Sequence, residues 1–388
     1  MKKQEVIDKA VAAHVTTYGV EPETVAYAPG RVEILGNHTD NNEGTTFSCA
    51  INLGHCFCIS NSEEKGVHLY AADLDETASF DPADEKPLDK SLQWANYVKG
   101  VIHILRSYDV EMDGVSCTFL GSIPMGAGLS SSAALEVATA YAVLAHTGRS
   151  LDPIDVAKVG QKAEHDFAGC SCGLLDQLSS LFGVEQGLIH SDFRTLKTES
   201  VSLPEDIVFL MVNPGVQHKL AESPYNARRA SCERAAAQLD ALVGYPVNVL
   251  RDIPFEDFDR LKERIEAEGA QRASHVVGEI KRVETGVRLL EAGRVTDFGQ
   301  LLFASHESSR TAFENSCPAL DVVVEAARDA GALGARLSGG GWGGSCVAMV
   351  RKDAVEFVCE RIAALCREQG LDPEVEVVLP SAGAAVVA

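Results

Sequence analysis

A glycine- and serine-rich segment at residues 124–140, PMGAGLSSSAALEVATA, has the residue types of a phosphate-binding loop. Gly126 and Gly128 let the backbone approach a ligand closely, and serines 130–132 stand where an apolar-periodic helix begins. Free N–H groups and the positive dipole end of a helix N-terminus attract anions. The G-x-x-x-x-G-K-[ST] pattern is absent from the segment, which excludes the common P-loop. The alternative interpretation is a capped helix after a tight turn.

A second segment, APGRVEILGNHTDNNEG at residues 28–44, crowds polar side chains into a glycine-punctuated loop after an apolar strand. Arg31, His38 and Asp40 offer a cation, an imidazole and a carboxylate close together. Sugar hydroxyl groups need directional donors and acceptors of this kind. We therefore expect a small polar ligand here, although each of these residue types taken singly is typical of a solvated surface.

The third segment, residues 161–183, carries two carboxylates around a glycine turn. Glu164 lies on a predicted helix that Gly169 ends, and Asp176 opens the next helix after Gly173. Such carboxylates can face one pocket, one as a Mg²⁺ ligand and the other beside an acceptor hydroxyl. The alternative is an acidic helix face with an Asp favoured by the helix dipole.

Mixed helices and strands are predicted to position these segments, in an α+β arrangement of two domains, 1–198 and 199–388. Apolar patterns predict strands near 24–35, 46–60, 67–72, 115–122, 187–191, 207–213 and 345–350, and helices near 93–107, 131–147, 151–168, 225–242 and 256–268. The polar stretch 192–204 is interpreted as the border between the domains.

Composition excludes several classes of function. The 388 residues carry a net charge of −22, which disfavours nucleic acids and anionic membranes as partners. No apolar run is long enough to span a bilayer, and the N-terminus lacks a signal-peptide pattern. Eleven cysteines without zinc-ligand spacing are typical of reduced, buried thiols. We expect a cytoplasmic protein, and a monomer.

Together the segments resemble the kinase superfamily named after galactokinase, homoserine kinase, mevalonate kinase and phosphomevalonate kinase. Residues 124–134 look like its nucleotide loop, LSGGGWGGSCVAMV at 337–350 looks like its C-terminal glycine motif, and residues 28–44 look like the motif that marks galactokinases. WANYVKG at 94–100 and YNARRASCE at 225–233 also match. The resemblance implies an N-terminal domain like ribosomal protein S5, a ferredoxin-like C-terminal domain, and ATP-dependent phosphorylation of a galactose-like sugar at O1.

The resemblance also implies a role for each matching residue. Asp176, with Arg31 beside it, would orient or deprotonate the sugar hydroxyl, and Ser132 and Glu164 would bind Mg²⁺. The phosphates of ATP would be wrapped by Gly126, Ala127, Gly128, Leu129, Ser130 and Ser131, and Trp94 would flank the adenine. The sugar would be held by Asn37, His38, Asp40, Gly173 and Tyr225, with the glycines of 339–344 closing the pocket.

The galactose motif departs from the family pattern at several positions. Galactokinases usually read Gly-Arg-Val-Asn-Leu-Ile-Gly-Glu-His-Thr-Asp-Tyr-Asn, whereas this chain has Glu33, Ile34, Leu35, Asn37 and Asn41. An amide at position 37 would tolerate a carboxylate on the sugar that a glutamate would repel. The alternatives are therefore a kinase of another galactose-like sugar such as galacturonate, and a non-catalytic sensor that binds galactose and ATP.

Overall fold

The first half of the chain forms a mixed sheet around a long central hairpin. The computed structural model describes residues 1–124, 126–170, 172–216 and 225–388. The strands of this sheet are β1 (Thr24–Leu35), β2 (Thr45–Asn61), β3 (Val67–Ala71), β4 (Glu76–Phe80), β5 (Val115–Gly121), β6 (Gly187–Asp192), β7 (Lys197–Ser202) and, from the C-terminus, β12 (Ala385–Val386). Their order is β12-β1-β2-β5-β3-β4, while β6 pairs with β2 and β7 with β6. The β3–β5 pair is parallel.

Helices cover both faces of β1. They are α1 (Lys3–Tyr18), α2 (Gln93–Leu105), α3 (Ser131–His146), α4 (Pro153–Ala163) and α5 (Leu175–Phe182). Side chains alternate across a strand, so Val25 and Tyr27 pack against α1 while Ala26 and Ala28 face the layer of α2 to α5. Every residue of β1 is therefore buried, which explains its nearly continuous apolar sequence.

The second half of the chain builds a smaller antiparallel sheet in the order β11-β8-β10-β9. Its strands are β8 (Ile207–Asn213), β9 (Gly334–Ser338), β10 (Ser345–Arg351) and β11 (Glu374–Val378), and its helices are α6 (Tyr225–Asp240), α7 (Phe255–Leu261), α8 (Ala267–Glu291), α9 (Val295–Ser308), α10 (Pro318–Asp329) and α11 (Val355–Glu368). One core cluster joins Phe209 and Val347 of this sheet to Val32 and Ile34 of β1. The two sheets therefore pack together along the second half of β1.

The α+β prediction is confirmed, but one local prediction is wrong. The helix predicted at 256–268 is two helices, because Ile265 has an extended backbone between α7 and α8. The backbone N–H of Glu266 donates to Oε1 of Gln238, which holds the start of α8. The polar stretch 192–204 contains β7, whose mostly exposed residues show no apolar alternation.

The border predicted at residue 198 lies inside β7, and β7 pairs with β6 of the first sheet. At the other end of the chain, Ala26 and Tyr27 of β1 pair with β12. Strands of the first sheet thus lie on both sides of residue 198, and the border there stays a prediction. Within the described residues, every helix is too short or too polar to cross a lipid bilayer.

An ion-pair network ties the 40–44 segment to the turn between β6 and β7. Nη2 of Arg251 lies 2.7 Å from Oδ2 of Asp192, and Arg251 Nη1 donates to the carbonyl of Glu43 over 2.6 Å. Burial alone would raise the pKa of Asp192. The hydrogen bond and charge of Arg251 and two backbone N–H groups outweigh burial and bring the pKa down to about 2. The network therefore stabilises the fold beside the predicted sugar-binding loop.

We expect Asp192→Asn to lower the free energy of unfolding by about 1–2 kcal/mol near neutral pH, because Arg251 loses its carboxylate. The pKa of Asp192 is depressed in the folded state, so this stabilisation is present above about pH 4 and is lost as the pH falls toward 2. Urea unfolding at about pH 7 and about pH 3 measures both effects.

The exposed pair of Asp155 and Lys158 is the matched control. Asp155→Asn should change the free energy of unfolding by less than about 0.5 kcal/mol. A loss for Asp192→Asn that is the same at both pH values would contradict the prediction.

Candidate active site

A cavity of about 430 Å³ lies where β1, α3 and α5 meet the loop between β9 and β10. It is bordered by every site residue predicted from the sequence, namely Arg31, Asn37, His38, Asp40, Trp94, residues 126–132, Glu164, Gly173, Asp176 and Tyr225. The five glycines of the 339–344 loop border it as well. Met125 of the phosphate loop lies outside the described residues. Folding thus brings the three chemistry-bearing segments to one pocket, while their roles stay predictions.

The glycine- and serine-rich loop has left-handed backbone before α3 begins. Gly126 and Gly128 have φ angles of 73° and 72°, and Ser130 has φ 57°. Gly30 of β1 lies so near this loop that a Cβ at position 30 would be 2.5 Å from the carbonyl oxygen of Leu129. The first N–H groups of an α-helix have no partner within the helix, so this end of α3 suits a phosphate group.

Arg31 joins β1 to the phosphate loop and to α5. Its Nη2 and Nε atoms lie 2.7 and 2.8 Å from Oδ1 of Asp176, and its Nη1 donates to the carbonyl of Gly128 over 2.7 Å. Oγ of Ser130 donates to Oδ2 of Asp176 over 2.5 Å. The side chain of Asp176 is still 27% exposed. The carboxylate is therefore held in one orientation and yet reaches the cavity.

Glu164 and Ser132 place oxygen atoms together beside the start of α3. Ser132 Oγ donates to Oε1 of Glu164, and Cys172 Sγ to Oε2, each over 3.3 Å. Glu164 opens a single π-helical turn that Gly169 ends, a feature frequent at functional sites. Burial, and then the negative charge of Asp176, raise the pKa of Glu164 to about 7. A divalent cation would relieve both penalties on the carboxylate.

These oxygen donors fit Mg²⁺, which takes hard oxygen ligands and keeps several from phosphates and water. Among the described residues, no group of three or more His, Cys, Asp or Glu side chains could hold a metal ion. Ser132 and Glu164 would therefore supply only part of the coordination, and phosphate and water oxygens the rest.

His38 lies in an aromatic setting at the other end of the cavity. Its Nε2 is 3.0 Å from the carbonyl oxygen of Gly340, and because a carbonyl can only accept, Nε2 carries the proton. The ring stacks on Phe313 at a centroid distance of 4.5 Å, and Tyr225 lies 5.2 Å away. Burial lowers the pKa of His38 to about 4, so the ring is neutral near pH 7. Its Nδ1 is thus an acceptor.

Asp40 and Gly173 are in close contact at the same end. A Cβ at position 173 would lie 1.9 Å from Oδ2 of Asp40, so a larger residue there would displace the Asp40 carboxylate. Oδ1 of Asp40 accepts the N–H of Asn41 over 2.9 Å. Burial, then the charge of Glu33 and more weakly that of Asp176, raise the pKa of Asp40 to about 6. The carboxylate is held in an environment that disfavours its charge.

The opposite end of the cavity is apolar and aromatic. Trp94, Tyr97, Phe119 and Leu135 border it, and the Trp94 and Phe119 rings lie 5.8 Å apart. Nε1 of Trp94 donates to Oε2 of Glu76 over 2.6 Å, which fixes the indole. Flat apolar walls of this kind suit a planar ring such as adenine.

Three family models match the chain: "GHMP kinases N terminal domain" over residues 96–184, "GHMP kinases C terminal" over 287–368, and "Galactokinase galactose-binding signature" over 12–61. Galactokinase of Haemophilus influenzae strain PittGG is 40% identical over 348 residues, which are 88% of this chain and 89% of that protein. Galactokinase of Pasteurella multocida strain Pm70 is 37% identical over 95% of this chain and 96% of its own length. The chain belongs to the galactokinase family.

A solved galactokinase has the same fold. The crystal structure of Lactococcus lactis galactokinase complexed with galactose matches with a TM-score of 0.91 and 32% identity, over 98% of this chain and 99% of that one. The predicted kinase class and two-part α+β architecture are therefore confirmed. The galacturonate kinase and the non-catalytic sensor are not favoured by any of these galactokinase relatives.

Among the other polar residues that border the cavity, His55 and Glu33 were not assigned a role from the sequence. Nε2 of His55 lies 2.8 Å from Oγ of Ser131, and Glu33 is buried beside Asn37. Both are charged or ionisable side chains at buried strand positions, His55 in β2 and Glu33 in β1. A polar side chain in a strand that is buried on both faces was the available signal, since such groups are rarely buried without a partner.

We expect Asp40→Asn to raise the stability of this protein by about 1–3 kcal/mol at about pH 8, because a neutral amide escapes the burial and charge that raise the pKa of Asp40. A carboxyl pKa raised in the folded state destabilises only where the group is ionised, so the gain should disappear below about pH 4. Thermal unfolding at about pH 8 and about pH 4 measures it.

Galactose binding by Asp40→Asn, measured by calorimetry, should weaken even as stability rises, since function and stability conflict at such a site. A variant that is less stable than the parent at about pH 8, or equally stabilised at both pH values, would show that the Asp40 charge is not strained.

Proposed function

We propose that the cavity transfers the γ-phosphoryl group of ATP to the anomeric hydroxyl of galactose. The observation that carries the proposal is the Asp176 carboxylate, which Arg31 and Ser130 hold between the phosphate loop and the sugar end. Asp176 can contact an acceptor hydroxyl there, while the start of α3 faces the phosphates. ATP use and galactose as substrate agree with the family to which the chain belongs.

In the proposed reaction, the O1 hydroxyl of galactose donates a hydrogen bond to Asp176. As O1 forms its bond to the γ-phosphorus, the bond from that phosphorus to the bridging oxygen breaks and ADP leaves. The hydroxyl proton passes to the Asp176 carboxylate. Phosphoryl transfer proceeds through a loose transition state, so positioning and charge neutralisation are the main demands on the protein.

The nucleotide end holds the phosphates and the base. Backbone N–H groups of residues 126–131 would wrap the phosphates, and Trp94 would flank the adenine. Ser132 and Glu164 would hold Mg²⁺, which when bound supplies neutralisation of the β- and γ-phosphate charge.

At the sugar end, Asp40 and Nδ1 of His38 would accept hydrogen bonds from sugar hydroxyl groups. Gly173 and Tyr225 would complete the wall of the sugar pocket. Asn37 borders the same end, although its amide already hydrogen-bonds to Glu33 and Gly339. We also propose that the protein acts in the cytoplasm as a monomer. Its eleven cysteines are free thiols, as is typical of a reducing compartment.

The direct test is ATP-dependent phosphorylation across galactose, galacturonate, galactosamine, N-acetylgalactosamine, glucose and arabinose. Galactose should have the highest kcat/KM, with phosphate at O1 of the product by NMR. Preference for galacturonate, or ATP and sugar binding without turnover, would overturn the proposal in favour of one of the two alternatives.

We expect Asp176→Asn to lower kcat by about 100-fold or more, because the amide retains the shape of the carboxylate and loses the proton acceptor. Galactose and ATP affinity, measured by calorimetry, should stay within about tenfold of the parent. Turnover within a few-fold of the parent would remove Asp176 from the role we propose.

Glu164→Ala and Ser132→Ala should each raise the Mg²⁺ concentration needed for half-maximal activity, by about tenfold or more, since each removes an oxygen ligand. Asp166→Ala is the matched control, because Asp166 lies in the same π-helical turn but is exposed and paired with Lys162. Metal titrations of the three variants measure the effect. An unchanged Mg²⁺ requirement in Glu164→Ala and Ser132→Ala would place the metal elsewhere.

A further inference from the structure

Glu33 and Asn37 exchange their side-chain types relative to the usual galactokinase pattern, which has Asn at the first position and Glu at the second. In the fold the two side chains touch. Nδ2 of Asn37 lies 3.2 and 3.1 Å from Oε1 and Oε2 of Glu33. Both residues border the cavity and are almost inaccessible, at 2% and 1% exposure. The two departures from the pattern are therefore one linked change.

Glu33 and Asn37 together bind the backbone N–H and the backbone carbonyl of Gly339 in the glycine-rich loop. The N–H of Gly339 donates to Oε2 of Glu33 over 3.1 Å, and the carbonyl of Gly339 accepts from Nδ2 of Asn37 over 2.9 Å. The backbone N–H of Glu33 donates to Oγ of Ser338 over 2.9 Å. A carboxylate can only accept and an amide N–H₂ can donate, so these two groups match the two halves of Gly339.

The hydrogen bonds to Gly339 continue into the predicted sugar site. The next carbonyl, that of Gly340, accepts from Nε2 of His38 and from Nδ2 of Asn315, each over 3.0 Å. Nδ2 of Asn315 also donates to Oδ1 of Asn37 over 2.9 Å. Both ends of the Asn37 amide are thus bound to protein groups. Asn37 can influence the sugar only through the residues that it positions.

A buried cation sets the charge of the pair. Arg336 is fully buried, and its Nη1 lies 3.6 Å from Oε1 of Glu33. Its three guanidinium nitrogens make no hydrogen bond with the described residues. Burial raises the pKa of Glu33, while the positive charges of Arg336 and of Arg31 on β1 oppose that rise. Two carboxylates also face Glu33, namely Asp40 and Glu279 on α8, and Glu279 is itself paired with Arg282. Removing the carboxylate that faces a buried cation leaves an uncompensated charge, which is strongly destabilising.

We infer that Glu33 and Asn37 act as one positioning unit for the sugar site, in which a single carboxylate faces Arg336 and the two side chains together hold Gly339. The inference rests on the proposed function, because the unit acts on galactose through His38. The exchange relative to the family pattern then moves the carboxylate along the unit without changing its charge. The unit requires one carboxylate and one amide, and neither position can be changed independently.

An isosteric double-mutant cycle tests the coupling: Glu33→Gln, Asn37→Asp, and the two together. Glu33→Gln leaves Arg336 without its counter-charge. Asn37→Asp places two carboxylates in contact and an oxygen against the Gly339 carbonyl. The double variant returns the unit to one carboxylate and one amide, and the amide introduced at position 33 supplies an N–H donor for the Gly339 carbonyl. We expect both single variants to unfold at lower urea concentration and the double variant to regain most of the loss.

Kinetics separate positioning from general destabilisation. In each single variant the galactose KM should rise by about tenfold or more while the ATP KM and kcat change by less than about threefold, and the double variant should recover. In Asn37→Asp the galactose KM should fall toward the parent value as the pH is lowered, since one protonated carboxyl restores a donor and a single charge. The parent should lack this added pH dependence.

The contact between Glu23 and Asn61 is the matched control, because it is also a hydrogen-bonded Glu–Asn pair but lies on the exposed surface. Nδ2 of Asn61 donates to the two carboxylate oxygens of Glu23 over 2.8 and 2.7 Å. Glu23→Gln, Asn61→Asp and their combination should leave the urea midpoint and the galactose KM within error of the parent. Losses there as large as those at Glu33 and Asn37 would overturn the inference.

Additive effects, with the double variant at least as impaired as the two losses summed, would also overturn it. If neither single variant yields folded protein, a folded double variant supports the inference and an unfolded one refutes it. The double-mutant cycle measured by urea unfolding does not depend on catalytic activity. A parent that fails to phosphorylate galactose would therefore count against the proposed function, while the coupling energy would still decide whether the pair is one unit.

Discussion

The guanidinium of Arg31 is the interaction on which the geometry of the site depends. It bonds at once to Asp176 on α5 and to Gly128 in the phosphate loop, while its own strand packs in the core that joins the two sheets. Among the described residues that border the cavity, Arg31 is the one Lys or Arg side chain. Asp176 therefore depends on one cavity-lining cation, and Glu33 has a second cation, Arg336, buried behind it.

This shortage of positive charge disfavours the ionised form of the carboxyl groups in the pocket, and the pKa values of Asp40 and Glu164 are raised. Behind Glu164 lies Glu136 on α3, whose pKa is raised well above its usual value by burial and then by the charge of Glu164. Gln177 connects the two, because its Nε2 lies 3.0 Å from Glu136 and 3.4 Å from Glu164. Strained carboxyl groups in a cavity are typical of sites that a cationic or hydrogen-bonding ligand completes.

The side chains in the second half of β1 alternate between the hydrophobic core on one face and the cavity on the other. Val32 and Ile34 enter the core shared with the second sheet, whereas Arg31 and Glu33 border the cavity. Because the period of a strand is two residues, packing on one face fixes where the polar groups on the other face point. The second sheet then contributes Arg336 from β9, and the loop after β9 contributes Gly339; both contact Glu33 across the junction. The core between the sheets and the sugar end of the site are thus set by the same strand.

The sequence by itself determined the elements with strong periodicity, the reaction class and the candidate site residues that folding brings to the cavity. Apolar runs such as β1 and the glycine- and serine-rich start of α3 are local signals, and the motifs that matched the family are contiguous in the chain. It did not reveal β7, because KTESVS lies at an exposed sheet edge without apolar alternation, or the break at Ile265. The contact of Glu33 with Asn37, Gly339 and Arg336 was decided only by tertiary structure. Residues far apart in the chain meet there, and the free energy of a buried charge depends on the partner that folding places beside it.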